Sequence, residues 1–514
     1  MPGIFAIFKK RELKDLSDDH IEEYAMNLKH RGPKNTFKLD KFPIKMFFHH
    51  NETEDENQLK NYFCNDYDNT FIAIDGHIYN LDDINHTILR SHYFPRSDII
   101  TLESLIAGYK KIKYDIFSNL IGTYSGILYD GSEVIGFKDP IGAKPLYFCN
   151  TNELFALSSE LKALIPLKEV IKPIPPGSIA TSSGVLKKFY FYPNFIKNYS
   201  TSRRKRRKIA LKLNALVKIA VADNIHKGED IGTLLSGGID STIITYIAKD
   251  LIKKLQVYTV GIEDSADLFY AKKFAEKYNL EHTIVKITLE DMLEILPKVI
   301  YALETYDAAL IRSSVPLFII SQKIKSEGDV EVILTGEGGD ELFGGYDYLK
   351  NFKSPVRFNN ELVNLLEDEY KTGLQRVDRI PYFFSIEARA PLFDRRLVEF
   401  SFKIPPELKI FSKPGVNGFA EKWILRKAFE KEISEQFIWR KKQKFSEGAG
   451  SQFLLRDYIE KEISDEEFNF EKKQLPFLKL RSKEELYYWK IFNSHYKLTQ
   501  ESLAEIGITA NYEL

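Results

Sequence analysis

From Gly3 to about Tyr192 the chain carries short apolar or alternating runs that turn residues separate. Alternation with a period of two, broken by frequent turn residues, is typical of antiparallel strands. This pattern predicts an antiparallel, β-rich domain with a few helices over residues 1–195. The runs are GIFAIF, KMFFHH, FIAIDGHIY, YSGILYDG, EVIGFKDP, LYFCN and LFALSSE.

The pattern changes after a polar and basic stretch from Pro193 to Lys208. Beyond it, the compact apolar runs IGTLL, LQVYTVGI, HTIVKIT and VEVILTG alternate with helical patterns, one of them over Leu268 to Tyr278. Strands that are apolar on both faces and separated by helices indicate a doubly wound parallel sheet. From about Ser354 onwards the pattern is mostly helical. We therefore predict a two-domain α/β protein whose second domain covers residues 205–514.

Composition narrows the function classes. The chain has 514 residues, 44% of them hydrophobic, and its 73 basic residues balance its 73 acidic residues. The chain as a whole has no net charge that would attract nucleic acid or an anionic membrane. The RRKRR cluster at 203–207 could be a nucleic-acid patch, but we interpret it as a solvated linker. Cys64 and Cys149 are too few for a disulfide framework. Because we find neither a signal peptide nor a run of about 20 apolar residues, we expect a cytoplasmic protein that acts on small molecules.

The strongest local signal is a Gly-Gly turn between an apolar strand and a helix, LLSGGIDS from Leu234 to Ser241. Glycines let a ligand approach the backbone, the start of a helix offers free N–H groups, and Ser236 and Ser241 add hydroxyls. Asp240 stands where a magnesium ligand is useful. Neither GxxxxGK[ST] nor GxGxxG occurs, which disfavours an ordinary P-loop or a dinucleotide site. The loop predicts binding of a polyphosphate with a metal ion.

A second glycine-rich and acidic stretch, VILTGEGGDELFGGY from Val332 to Tyr346, also follows an apolar strand. Ligands of parallel sheets gather at the carboxyl ends of the strands, so both loops are expected to face one crevice. There Asp340 can meet Asp240 across a shared Mg²⁺, which offsets the repulsion between the carboxylates. The alternative is a solvated acidic turn.

These motifs resemble two known families. The SGGxDS pattern resembles the pyrophosphate-binding loop of the ATP pyrophosphatase family, and the second stretch is similar to the GEGSDExFGGY segment of the asparagine synthetase family. Gly339 stands where that family usually has serine. The other similar segments, in the family's order, are LETYD at 303–307, IRSS at 311–314, SIEARAPLFD at 385–394, EKWILRKAF at 421–429 and WRKKQKFSEGAG at 439–450.

The resemblance implies an adenine nucleotide α-hydrolase-like domain that uses ATP and Mg²⁺ to adenylate the side chain of aspartate. Ammonia would then form the amide, with AMP and pyrophosphate as products. Lys442 matches the family lysine that neutralises charge on the α-phosphate, and Glu337 matches the glutamate that orients the acceptor or removes a proton. Arg312, Ser313 and Asp340 match substrate-recognition positions. The ATP contacts implied are Leu234, Ser236, Gly237, Gly238, Asp240, Ser241, Val260, Thr335 and Gly336, with Asp240 and Asp340 as the metal ligands.

The amino-terminal part resembles class II glutamine amidotransferases, which implies a four-layer αββα sandwich of the N-terminal nucleophile type. Those enzymes use a cysteine at position 2, where this chain has Pro2. Asp75 replaces the asparagine that stabilises the oxyanion, and His77 replaces a glutamate that holds glutamine. Gly76 and Asp98 complete this degenerate glutamine site. The similar segments are GIFAI, HRGP at 30–33, DGHIYN, KDP at 138–140 and SELKAL at 159–164.

Three hypotheses follow. The leading one is synthesis of asparagine from aspartate, ATP and free ammonia, with glutamine hydrolysis lost. The second is a β-lactam synthetase-like or other ligase that uses a non-ammonia amine, and the third is a non-catalytic nucleotide-binding protein. Aspartate or a related carboxylate is the expected acceptor. The sequence leaves open a homodimer and a separate source of ammonia.

Overall fold

The computed structural model describes residues 2–12, 16–51, 63–65, 69–84, 102–193, 202–263, 265–328, 330–412, 419–440 and 451–506. The chain forms two compact units. The first contains residues 1–191, 471–480 and 489–509, and the second contains residues 192–470, 481–488 and 510–514. Within the described residues, no helix combines the length and apolar character that a membrane crossing requires.

The first unit contains two six-stranded antiparallel sheets. Their orders are β10-β8-β9-β1-β3-β2 and β12-β11-β7-β6-β5-β4. The strands are β1 Gly3–Lys9, β2 Asn35–Lys41, β3 Ile44–His50, β4 Phe63–Asn65, β5 Phe71–Ile78, β6 Gly122–Tyr129, β7 Val134–Lys138, β8 Tyr147–Asn150, β9 Leu154–Ser158, β10 Lys172–Pro173, β11 Ser178–Thr181 and β12 Leu186–Lys188. The helices of this part are α1 Asp18–Met26, α2 Leu81–Ile84 and α3 Glu103–Ile112.

The run GIFAIF is apolar at every position because both faces of β1 are buried. Ile4 and Ala6 belong to the core between the two sheets, whereas Phe5 and Ile7 pack in a second core with α1. Helix α3 packs in a third core with residues of the other sheet. The layers are therefore helix, sheet, sheet and helix, which confirms the predicted αββα sandwich.

Residues from near the carboxyl end of the chain complete this unit. The backbone N–H of Ile171 donates to Oγ of Ser502 at 3.1 Å, across 331 positions of sequence. Lys172 forms an ion pair with Glu505 at 2.8 Å, and Leu498 and Ile506 pack against the core that contains α1.

The second unit is built on a parallel sheet of order β15-β14-β13-β16-β17. This arrangement confirms the predicted doubly wound sheet. Its strands are β13 Ile231–Leu234, β14 Gln256–Gly261, β15 Glu281–Lys286, β16 Val332–Leu334 and β17 Glu387–Arg389. Two further strands, β18 Phe411–Ser412 and β19 Phe419–Ala420, pair antiparallel in a sheet of their own. The remaining helices of the chain are α4 Arg203–Asp223, α5 Ile239–Leu251, α6 Ala266–Lys277, α7 Leu289–Leu303, α8 Ala308–Glu327, α9 Gly339–Phe343, α10 Pro355–Asp368, α11 Gly373–Phe383, α12 Arg395–Ser401, α13 Pro406–Lys409, α14 Trp423–Phe429, α15 Glu435–Ile438, α16 Ser451–Glu462, α17 Asp465–Gln474, α18 Lys483–His495 and α19 Gln500–Ile506. Of these, α19 belongs to the first unit.

Candidate active site at the carboxyl edge of the parallel sheet

The SGGxDS loop joins β13 to α5 and brings its hydroxyls together. The backbone N–H of Ser236 donates to Oγ of Ser241 at 3.1 Å, and the two serine hydroxyls lie 3.0 Å apart. Gly237 has a φ of +69°, which favours glycine. No side chain caps the start of α5 at Gly238. Free N–H groups at a helix start, next to clustered hydroxyls, form an arrangement that can hold phosphate oxygens.

The loop after β16 lies against the SGGxDS loop. A Cβ added to Gly336 would lie 2.5 Å from the backbone nitrogen of Ser241, so a side chain here would collide with the first loop. The backbone N–H of Thr335 donates to the carbonyl of Arg389 at 2.9 Å. The Thr335 hydroxyl is buried and has no hydrogen-bond partner in the described part of the chain. The carboxyl ends of β13 and β16 therefore share one crevice.

Asp240 and Asp340 converge on one cation in this crevice, the ammonium of Lys422. Its Nζ contacts the carboxylate of Asp240 directly and lies 2.7 Å from Oδ1 of Asp340. Lys422 is 1% exposed. Burial alone would lower the pKa of Lys422, but the charges of the two aspartates raise it above the usual 10.5.

Two glycines leave room for this cluster. A Cβ on Gly339 would lie 2.0 Å from Oδ1 of Asp240, and one on Gly345 would lie 1.7 Å from Oδ1 of Asp340. The family's serine at position 339 would therefore require Asp240 to move.

The chemistry of this site fits a hard divalent cation. Two carboxylates already meet at one positive charge, and Mg²⁺ is commonly held by one or two carboxylates together with substrate phosphates. Among the described residues, no group of three or more His, Cys, Asp or Glu side chains could hold a metal ion. Water or the phosphates of a bound molecule would have to supply the remaining ligands.

Glu337 lies beside a second group of buried charges. Arg376 from α11 pairs with the Glu337 carboxylate. Oε1 of Glu369 and Oε2 of Glu337 both lie within 3.2 Å of the point that a Cβ on Gly373 would occupy. Burial, followed by the charges of Glu341 and Glu337, raises the pKa of Glu369 well above 4.5. A carboxylate and a carboxyl group that favours its proton therefore lie close together.

An arginine lies against the phosphate loop from the other side. Nη2 of Arg440 donates to Oδ1 of Asp267 at 2.6 Å, and its guanidinium stacks 4.3 Å from the ring centroid of Tyr270. Nη1 lies 3.5 Å from the carbonyl oxygen of Ser236 and 2.8 Å from the point that a Cβ on Gly237 would occupy. Burial raises the pKa of Asp267 to about 6, against the opposing effect of Arg440.

The predicted substrate residues make contacts inside the unit. Arg312 pairs with Glu484, and the Ser313 hydroxyl donates to the carbonyl of Leu310 at 3.0 Å in its own helix. Val260 is buried in β14, and Leu234 ends β13. Lys442 lies outside the described residues.

Sequence reasoning missed Lys422, Arg376 and Arg440. Lys422 lies in the EKWILRKAF segment. The only signal for it in the sequence was that this segment follows the other family-like segments in the family's order. The sequence of one helical segment does not show which of its charged side chains reaches the crevice.

In the first unit, buried charges surround residues of the predicted degenerate glutamine site. Arg31 donates to Oδ2 of Asp75 at 2.8 Å, to Oε1 of Glu160 at 2.9 Å and to the Pro2 carbonyl at 3.4 Å. Arg31, Asp75 and Glu160 are 0% exposed. Gly76 has a φ of +111°, and a Cβ there would lie 2.0 Å from a backbone oxygen of the neighbouring strand β6. His77 is half-buried, and Asp98 lies outside the described residues.

Comparison with known proteins agrees with both parts. The asparagine synthase family model matches residues 212–362 and 350–505, and the glutamine amidotransferase domain model matches residues 1–188. The chain is 30% identical to asparagine synthetase B (glutamine-hydrolyzing) of Escherichia coli, over 83% of this chain and 79% of that one. It is 31% identical to the human asparagine synthetase (glutamine-hydrolyzing), over 81% of each chain.

The fold and these matches place the chain among the ATP-dependent ligases that form carbon–nitrogen bonds. Within that class, it belongs to the asparagine synthase family, which confirms the resemblance seen in its motifs.

Proposed function

We propose that the protein forms the side-chain amide of aspartate from ammonia, with cleavage of ATP to AMP and pyrophosphate. The observation that carries this proposal is the convergence of Asp240 and Asp340, from two adjacent strand-end loops, on one cation beside the clustered hydroxyls of Ser236 and Ser241. Such an arrangement suits the polyphosphate of a nucleotide.

In the first step the aspartate carboxylate attacks the α-phosphorus of ATP, forming an acyl-adenylate while pyrophosphate leaves. The loop from Ser236 to Ser241 holds the departing pyrophosphate through backbone N–H groups and hydroxyls. Asp240 and Asp340 would hold Mg²⁺, which when bound offsets negative charge on the phosphates. Arg440 holds the same loop through its contact with the Ser236 carbonyl.

In the second step ammonia attacks the acyl carbon, AMP leaves, and the nitrogen loses a proton. Glu337 is the base, since its carboxylate is held by Arg376 at the end of the same crevice. The neighbouring Glu369 favours its protonated form, because burial raises its pKa. Glu369 therefore adds no second negative charge beside Glu337.

We further propose that the nitrogen comes from ammonia and not from glutamine. Pro2 offers no thiol where the amidotransferase family has its nucleophile. Asp75 places a carboxylate, already paired with Arg31, where an amide would donate to the oxyanion. An acceptor at that position repels the developing negative charge.

The test measures pyrophosphate and asparagine formed by the purified protein with ATP, Mg²⁺ and aspartate, with either ammonium or glutamine as nitrogen source. We expect both products with ammonium and none with glutamine, and an Asp340→Asn variant as control should make neither. Asparagine from glutamine would contradict the loss of the glutaminase. Pyrophosphate with another acid but not with aspartate would favour the cyclising or other ligase, and nucleotide binding without turnover would favour a non-catalytic protein.

A further inference from the structure

The contact of Lys422 with both aspartates is built into the local backbone. Lys422 has a φ of +51°, in the left-handed region that lysine seldom adopts. A Cβ on Gly345 would lie 2.2 Å from Cε of Lys422, so the glycine makes room for the lysine stem. An uncommon backbone conformation and a close-fitting glycine are thus both used to place one ammonium.

The ammonium changes what the two carboxylates can bind. Without it, Asp240 and Asp340 would present two negative charges to one point, a set that attracts free divalent cations. With Lys422 at 2.7 Å from Asp340 and in direct contact with Asp240, one of those charges is neutralised and the point between them is filled. A free metal ion would have to displace a buried ammonium and leave its charge unpaired, which is costly.

A nucleotide removes this obstacle. Its phosphates bring negative charge that can pair with the Lys422 ammonium, and they supply the oxygen ligands that two carboxylates lack. The metal ion and the nucleotide would then enter the site together.

We propose that Lys422 is the resident counter-ion of the Asp240–Asp340 pair, and that it excludes free divalent cations until nucleotide phosphates are bound. This inference rests on the proposed function, because it assumes that the crevice takes a nucleotide with its metal.

The test uses Mn²⁺ as probe and measures free Mn²⁺ by electron paramagnetic resonance, with wild type, Lys422→Met and Lys422→Arg. Without nucleotide, Lys422→Met should bind Mn²⁺ at least about tenfold more tightly than wild type, because one positive charge has been removed from the site. Lys422→Arg keeps the charge and should bind as weakly as wild type. Adding Asp240→Asn to Lys422→Met should abolish the gain.

Tight binding of Mn²⁺ by the nucleotide-free wild type that Asp240→Asn abolishes would overturn the inference, as would equal affinities of wild type and a folded Lys422→Met. If Lys422→Met does not fold by circular dichroism, the wild-type measurement with and without a non-hydrolysable ATP analogue decides alone. Weak binding without the analogue and tight binding with it is then expected. A protein that binds no analogue contradicts the proposed function, whereas the nucleotide-free comparison still tests Lys422.

Discussion

Replacing Lys409 by methionine should stabilise the second unit. Lys409 ends α13, is 0% exposed, and its Nζ has no hydrogen-bond partner within the described ranges. The Phe402 ring, with its centroid 5.4 Å from the ammonium, is its aromatic contact. Burial therefore lowers the pKa of Lys409 from 10.5 to about 7.

The magnitude follows from this pKa. One pKa unit corresponds to about 1.4 kcal/mol, so the fall from 10.5 to about 7 costs the folded state about 4 to 5 kcal/mol near neutral pH. The cation–π contact returns about 1 to 2 kcal/mol. Methionine has a similar length and no charge, so we expect the free energy of unfolding at pH 7 to rise by about 3 kcal/mol.

The sign of the pH dependence is also fixed. Below pH 7 both folded and unfolded chains carry the proton, whereas between pH 7 and 10.5 mainly the unfolded chain binds it. Stability of the wild type should therefore rise with pH in this window, by up to about 1.4 kcal/mol per pH unit relative to the variant.

Urea unfolding followed by tryptophan fluorescence at pH 7, 8 and 9 measures both effects. Lys403→Met, at an exposed lysine of the same region, is the matched control and should change neither the stability nor its slope with pH. Equal stabilities of Lys409→Met and wild type at pH 7, with parallel pH dependences, would refute the reasoning.

Three further predictions concern the sites. Pro2→Cys should not restore ammonia release from glutamine, because the Asp75 carboxylate remains. Release at the rate of an active amidotransferase would show that Asp75 does not prevent glutamine hydrolysis. Arg440→Gln should raise the KM for ATP about tenfold with a smaller effect on kcat, because the substitution loosens the phosphate loop. An unchanged KM would show that Arg440 does not contribute to ATP binding. Gly345→Ala should lower pyrophosphate release at least about a hundredfold by displacing Asp340. A Gly345→Ala variant as active as the wild type would contradict the crowding of Asp340 at this position.

The fold could be predicted where hydrophobic patterning is local. β13, β14 and β16 are apolar runs between helices, so their type followed from sequence. The edge strand β15 is partly polar and has no buried residue. Strand β17 could not be seen, because its three residues include Glu387 and Arg389. Both are buried, because Arg389 pairs with Glu387 and also with Glu229, whose Oε1 lies 2.6 Å from Nη2 of Arg389. The sequence does not show that Arg389 and Glu229, 160 positions apart, will neutralise each other.

The same limit applies to the candidate site. Motif spacing predicted the two glycine-rich loops, since each is a short segment at a strand end. Lys422 meets Asp240 across 182 positions, and Arg312 meets Glu484 across 172. Such contacts depend on how helices are placed, which a motif does not specify. Arg312 therefore looked like a free substrate-binding cation, whereas the structure gives it a buried partner.

The contact between Ile171 and Ser502 bears on how the protein is made. Because residues 489–506 supply part of the packing around α1, the first unit cannot reach its final form while the ribosome is still synthesising the second. During translation the apolar face that later receives Leu498 and Ile506 is uncovered. A fragment that stops near residue 195 would keep that face exposed permanently, so its expression alone should require either a chaperone or the later segment supplied as a separate peptide.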